Sequence, residues 1–463
     1  MKVKTIPSAW MRRDGRRFDC GPYMSGALEA RIRLEELACR KDRLADVCDG
    51  GMAGLVNPGR ITRQWAADSV HGVPFLTSTS ILQADLSDLR FISHRAVREN
   101  AKLIIRAGYT LITRAGTIGR MSYARPDMDG LACTEDVLRV IPDARRVRSG
   151  YLYAFLSSKF GVPLVTSGTY GAIIQHIEPL HIADLPVPRL GAEVEGEAHR
   201  LVDLAASNRT KAIELLNASR NAIEVLLNAA DSRSQNDAPW SSVASSRLQL
   251  RCDAYYYSIR CQAARRAFDA ATVPEHRTLG EVAQVFIPGI FKRRYADDPA
   301  FGVPYITGAD VFQLAPTSDR FLMDRVAQDN QLVIKKGMFL IQEAGQLGGL
   351  IGKSVFVGSH LDGYAVSNNM VRVTARDERD AGYLFALLST NTGVTLIARE
   401  SAGSSIPHMD ANRIRSLSLP WPGAAQRHEI SRTVVDAIAL RDRAAEAEDE
   451  ARALVERVIE EAA

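Results

Sequence analysis

Two glycine turns carry side chains able to read a nucleic acid. The first, Leu111-Ile-Thr-Arg-Ala-Gly-Thr-Ile-Gly119, offers Arg114 and Thr117, with Arg120 next in line. The second, Leu340-Ile-Gln-Glu-Ala-Gly-Gln-Leu-Gly348, offers Gln342, Glu343 and Gln346, with Lys353 a few residues on. Arg and Lys pair with guanine and Gln with adenine, so such turns can discriminate bases. Arg60-Ile-Thr-Arg63 and Lys292-Arg293-Arg294-Tyr295 add basic side chains, with a neighbouring aromatic in the second, suited to backbone phosphates. Gln175 and His176 in the first half and His408 in the second complete the candidate set. The two histidines occupy matched positions and suit either of two roles: bonding a turn, or contacting a base or phosphate.

Catalytic signatures are scarce. Gly348-Gly-Leu-Ile-Gly-Lys-Ser354 resembles a phosphate loop, but Leu347 stands where the pattern needs its first glycine. Ala115-Gly-Thr-Ile-Gly119 lacks the third glycine of a dinucleotide fingerprint. There is no Asn-Pro-Pro-aromatic or Asp-Pro-Pro-aromatic tetrapeptide, no Gly-x-Ser-x-Gly elbow and no His-x-x-x-His metal spacing. The six cysteines form no C-x-x-C pair and read as reduced cytosolic thiols. No run is apolar for long enough to span a membrane, and no apolar segment follows the basic N-terminus, so a cytoplasmic protein is expected. This points to binding. An enzyme with an unrecognised site, such as a nuclease, is the reading of another class.

The elements that position these residues occur twice. Arg17-Phe-Asp19 and Tyr23 are answered by Arg251-Cys-Asp253 and Tyr257. Gly72-Val-Pro-Phe-Leu-Thr77 is answered by Gly302-Val-Pro-Tyr-Ile-Thr307, four identities in six. Gly150-Tyr-Leu-Tyr-Ala-Phe-Leu-Ser matches Gly382-Tyr-Leu-Phe-Ala-Leu-Leu-Ser, and His176 matches His408 at the same offset of 232. Each copy runs into a long stretch, 193–230 or 424–463, rich in Ala, Leu, Glu and Arg and free of proline. Apolar residues recur there every three or four positions: Ile213, Leu216, Ile223 and Leu226 in one, Val434, Ile438, Leu454 and Val458 in the other. Each would form a helix roughly 50–60 Å long, and the two stripes are expected to bury each other.

The expected fold is therefore α+β, with two tandem-duplicated domains, each followed by a long helix, and the helices pairing as an antiparallel coiled coil. The expected boundaries are a first domain over 1–190, a helix over 191–230, a linker over 231–240, a second domain over 241–422 and a second helix over 423–463. The helices are acidic, with six Arg against ten Asp and Glu in 424–463 and four basic against six acidic residues in 193–230. Since the whole chain is +4, the globular parts are basic.

This duplicated order (Arg-x-Asp-x-x-x-Tyr, Gly-Val-Pro-aromatic, Ala-Gly-x-x-Gly, a Gly-Tyr-Leu helix, then a long helix) resembles the DNA specificity (S) subunit of type I restriction–modification systems. The resemblance covers nearly the whole chain and rests on the order rather than on any one motif. It implies two target recognition domains, each reading half of a split, asymmetric site in double-stranded DNA. It implies paired helices that set the spacing and dock methyltransferase (M) subunits, two being expected. Restriction (R) subunits would join through those. It implies no catalysis and no cofactor in this chain, with S-adenosylmethionine, ATP and Mg on the partners. A DNA-targeting subunit of another phage-defence system is the neighbouring alternative.

Overall fold

The computed structural model describes residues 3–13, 21–167, 176–228, 241–248, 251–403 and 405–462. The expected linker and the Arg17–Asp19 motif lie outside these residues. The chain divides into two compact units, Met1–Thr210 with Arg443–Ala463, and Lys211–Asp442.

Every sheet of the first unit is found again in the second. One four-stranded sheet orders Leu55–Val56, Val137–Val140, Thr110–Thr113 and Met121–Tyr123, all antiparallel; its counterpart orders Ala283–Phe286, Met370–Ala375, Phe339–Gln342 and Ser354–Phe356. These central strands are buried at every position but Thr374, so their sequences run mostly apolar rather than alternating. A second sheet orders Trp65–Ala66, Arg90–Ser93, Gly72–Leu76 and Ala132–Cys133, matched by Tyr295–Ala296, Phe321–Met323, Gly302–Ile306 and Ala365–Val366. The glycine of each Gly-Val-Pro motif is required by packing. A Cβ on Gly72 would lie 2.4 Å from the Ile92 carbonyl oxygen, and one on Gly302 2.8 Å from that of Leu322.

The Gly-Tyr-Leu motif docks a short helix, Ser149–Leu156 or Ala381–Ser389, on a long one. The Gly150 amide donates to His199 Nδ1 at 3.2 Å and the Gly382 amide to Ser431 Oγ at 2.9 Å. In both places a Cβ would collide with the long helix. The tyrosine that follows donates to a proline carbonyl, Tyr151 to Pro188 and Tyr383 to Pro420. The glycine thus permits the approach, and the tyrosine ties the helix to the strand preceding the long helix.

The long helices are Ala192–Leu226 and Ala424–Glu461. They pair antiparallel. In the first unit Ala198, Leu201, Val202, Ala205 and Ala206 share a core with Ala444, Ala447, Ala451, Val455 and Ile459. In the second, Ala212, Leu216 and Ile223 share a core with Ile430, Val434, Ala437 and Ile438. A buried Leu or Ile contributes about 1.5–3 kcal/mol relative to its exposed state, and alanine lets the backbones approach closely. The expected stripe is refined in detail. Leu216, Ile223, Val434 and Ile438 are buried; Leu226 and Leu454 pack at the margin, and Ile213 and Val458 are half-exposed. Val455 and Ile459 take the central positions of the last turns. Among the described residues, no single helix is long and apolar enough to cross a membrane. The bent pair Glu378–Ser389 and Asn391–Arg399 passes that test by composition, and both members are largely buried in the second unit's core.

Candidate nucleic-acid interface

In each unit three segments converge at the end of a central strand. In the first, the Arg114 amide donates to the Asp136 carbonyl at 3.0 Å, and the Ile177 amide to the Arg114 carbonyl at 3.2 Å. In the second, the Glu343 amide donates to Asn369 at 3.0 Å, and the Met409 amide to Glu343 at 3.2 Å. Backbone ladders thus hold the glycine turn, the loop before the next strand and the returning segment in one place.

A buried arginine fixes the middle loop of each unit. Arg139 donates to the carbonyls of Thr134 (2.9 Å), Cys133 (2.5 Å), Leu103 (3.4 Å) and Val137. Arg372 donates to those of Ser367 (3.0 Å), Met370 (2.6 Å) and Val366 (2.8 Å). Burial disfavours the charge and lowers both guanidinium pKa values, that of Arg372 to about 10. These positioning residues were missed in the sequence. Their signal is a lone charge at matched places in apolar strands, Val-Leu-Arg-Val and Met-Val-Arg-Val.

In the first unit the convergence forms a cleft of about 400 Å³, lined by Asn57, Gly59, Arg60, Arg114, Glu135, Asp136, His176 and Glu178. Three sequence candidates meet here. Arg60 is exposed and has no carboxylate partner among the described residues. Arg114 is largely buried; it donates to the Ile177 carbonyl at 3.1 Å and pairs with Glu178. His176 presents a buried Nδ1 that has no hydrogen-bond partner among the described residues. Arg63 reaches the same wall, at 3.2 Å from Thr134 Oγ1 and 3.4 Å from Glu135 Oε1.

Thr117 stands exposed at the turn's tip. Below it, the Thr113 side chain binds the Thr117 carbonyl and accepts from the Arg120 amide at 3.0 Å. Gly119 closes the turn at φ 79°, and a Cβ there would sit 2.3 Å from Thr166 Cγ2.

The second unit has the same frame and different chemistry. Glu343 replaces Arg114; it is buried, and its carboxylate lies 3.0 Å from His408 Nδ1. The turn is four residues longer. Gln342 pairs with Lys353 (amide to carbonyl, 2.8 Å) as Thr113 pairs with Arg120 (2.9 Å). This equates Gly119 with Gly352, at φ 82°, rather than with Gly348. The extra length carries Gln346 to an exposed position. Gln342 points inward, donating to the Ala344 carbonyl at 2.8 Å. The segment resembling a phosphate loop opens the strand Ser354–Phe356, not a helix, so it offers no helix N-terminus to a phosphate. Lys292, Arg293 and Arg294 are exposed, and strand register equates Arg293 with Arg63. Gln175 lies outside the described residues. The acidic and amide lining (Asn57, Glu135, Asp136, Glu178) was not foreseen, because no motif marks it and only the fold assembles it.

No protein-family model matches the sequence, and no curated protein matches it. Among solved structures the chain is similar to the S subunit of a type I restriction–modification system from M. genitalium, with 10% identity, 92% of this chain and 96% of that one covered, and a TM-score of 0.35. It is similar to the HsdS subunit from Thermoanaerobacter tengcongensis, with 14% identity, 91% and 96% covered, and a TM-score of 0.26. It is also similar to a chain from a structure of complex assembly and conformational transition of the type I R-M system, with 14% identity, 91% and 97% covered, and a TM-score of 0.27.

Proposed function

We propose that this chain is the DNA specificity subunit of a type I restriction–modification complex and reads a bipartite, asymmetric target in double-stranded DNA. The observation that carries the reading is the duplicated convergence with inverted chemistry. One unit presents Arg60, Arg114 and His176 beside carboxylates; the other presents a Glu343–His408 pair, a longer turn and a run of Lys292, Arg293 and Arg294. One frame with two sets of side chains suits two different half-sites. Arg selects guanine, and carboxylates accept from the cytosine amino group. Reading both halves on one duplex raises affinity through effective concentration.

In this reading the paired helices set the distance between half-sites and dock two M subunits, through which R subunits join. The methyl donor belongs to the M subunits, ATP and Mg to the partners, and this chain supplies the address. Mapping methylated adenines in a cell that carries the chain with its M subunit tests it. The expected result is one split motif whose two halves respond separately to changes in the two units. A purified chain that binds no duplex even at low salt, with no new methylation, would sink the proposal.

A further inference from the structure

Each unit carries a second feature, at the edge of the sheet that holds its Gly-Val-Pro strand and outside the cleft. Trp65 lies on the edge strand and is 38% exposed. The Arg90 guanidinium lies over its ring, 3.8 Å from the centroid. In the other unit Tyr295 occupies the matching edge position and is 41% exposed, with Arg320 over its ring at 5.8 Å. The matching is by register. Trp65 is opposite Ile92 and Tyr295 is opposite Leu322, which places each arginine two residues before its aromatic's partner. Each exposed ring also rests edge-on against an aromatic of the Gly-Val-Pro strand, Phe75 at 5.5 Å or Tyr305 at 6.1 Å.

We infer that these two aromatic–arginine pairs, Trp65–Arg90 and Tyr295–Arg320, are phosphate clamps that hold the duplex backbone while the clefts read bases. The inference rests on the specificity-subunit reading. Both guanidiniums are exposed, and among the described residues no carboxylate pairs with either. Stacking occupies the flat face of a guanidinium and leaves its in-plane N–H donors unspent, in a fork that matches two phosphate oxygens. It also holds the side chain in place, so less rotamer entropy is lost on binding. A base could not stack on the same face of Trp65, because the Arg90 guanidinium already covers it. A phosphate is thus favoured over an unpaired base. The neighbourhood is continuous with the reading site, since Arg63 lies over the Phe75 ring at 5.7 Å and reaches Glu135 of the cleft wall. In the second unit Arg293 donates to the Tyr305 hydroxyl at 3.2 Å.

The test uses the full chain and a labelled duplex of random sequence, titrated over a series of salt concentrations, then a duplex carrying the methylated motif. Arg90→Gln with Arg320→Gln is expected to weaken both duplexes by the same factor, roughly tenfold or more. It is expected to reduce the slope of log K against log salt by about 2, one contact for each arginine. Arg90→Lys with Arg320→Lys should restore most of the slope but not the affinity, because the charge returns without the planar fork. An unchanged slope in the Gln variant, while the wild-type chain binds DNA, overturns the clamp and leaves the specificity reading standing. So does a loss confined to the motif duplex, which would make these arginines base readers. So does an intact slope with weakened recovery of the M subunit, which would assign the pairs to a protein partner. A wild-type chain that binds neither duplex removes both proposals together.

Discussion

The two units solve the same packing problem with different chemistry, and the sharpest contrast lies where the long helices meet. In the first unit Glu448 is buried among Tyr153, Arg209 and Arg452. It accepts from the Tyr153 hydroxyl and from Arg209, and from Arg452 at 2.7 Å. The offset of 232 that relates the units equates Tyr153 with Phe385, Arg209 with Arg441 and Arg452 with Arg220. It also equates Glu448 with Leu216, a residue of the other helix, which shares the second unit's core with Phe385. An ionised network in one unit is thus an apolar contact in the other. A second contrast follows the same offset. Arg189 forks onto Glu195 at 2.8 Å in the first unit; in the second the matching residues are Trp421 and Arg427, stacked at 4.2 Å. A duplicated frame tolerates such exchanges because backbone contacts, not these side chains, hold it. The difference makes the two helices unequal, so each helix has one correct partner segment. That is a known use of a buried polar group in paired helices.

The comparison can be broken most severely at Glu448. Replacing it by Leu, as in the second unit, leaves Arg209 buried without a counter-charge, Arg452 keeping Asp449, and is expected to cost about 3 kcal/mol. Adding Tyr153→Phe removes the stranded hydroxyl and should recover about 1 kcal/mol. Urea unfolding of both variants measures this, and a cost below that of an ordinary surface change would show the asymmetry to be energetically idle.

Acid should act at the same place. Burial pushes the Glu448 carboxyl up. The Arg209 and Arg452 charges, with the hydrogen bonds from Tyr153 and Arg209, more than reverse this and bring it to about 2, against an ordinary 4.5. A carboxylate whose folded pKa is depressed stabilises fully above its unfolded value. Its contribution, about 3 kcal/mol, is therefore lost as pH falls from about 4.5 toward 2. Stability measured against pH should fall in that window in the wild-type chain and more shallowly in Glu448→Leu.

The next comparison sharpens what the units share. Arg139→Met strands four backbone carbonyls and Arg372→Met three, and each should cost about 2–3 kcal/mol, relief of the buried charge offsetting part of the loss. Nearly equal values by urea unfolding would confirm one design used twice. The smallest effect is expected at the two candidate interfaces. If the two clefts read DNA, Arg114→Ala is expected to reduce discrimination at one half-site by about 1–3 kcal/mol, and Glu343→Gln at the other. Competition binding with half-site variants checks whether each substitution stays within its own half.

The sequence alone determined the duplication, the long helices and the absence of a known catalytic motif. These are properties of local composition and order: helix propensity, apolar periodicity and matched glycines survive translation into a string. It also placed Arg60, Arg114 and His176 among the candidates, because basic residues beside glycine turns are locally visible. The tertiary structure decided the rest. It split the helix stripes between two cores, moved the central contacts of the last turns to Val455 and Ile459, and turned Gln342 inward. It equated Gly119 with Gly352 by hydrogen-bond register rather than by the visible Ala-Gly-x-x-Gly match. It assembled Glu135, Asp136 and Glu178 into one wall and set Trp65 against Arg90. These depend on residues far apart in the chain, whose meeting is fixed by strand register and helix packing and leaves no mark on local sequence. Glu448 shows the reason most plainly. Within its helix it is one acid among ten, and only the packing of three separate elements makes it the buried one that is paired.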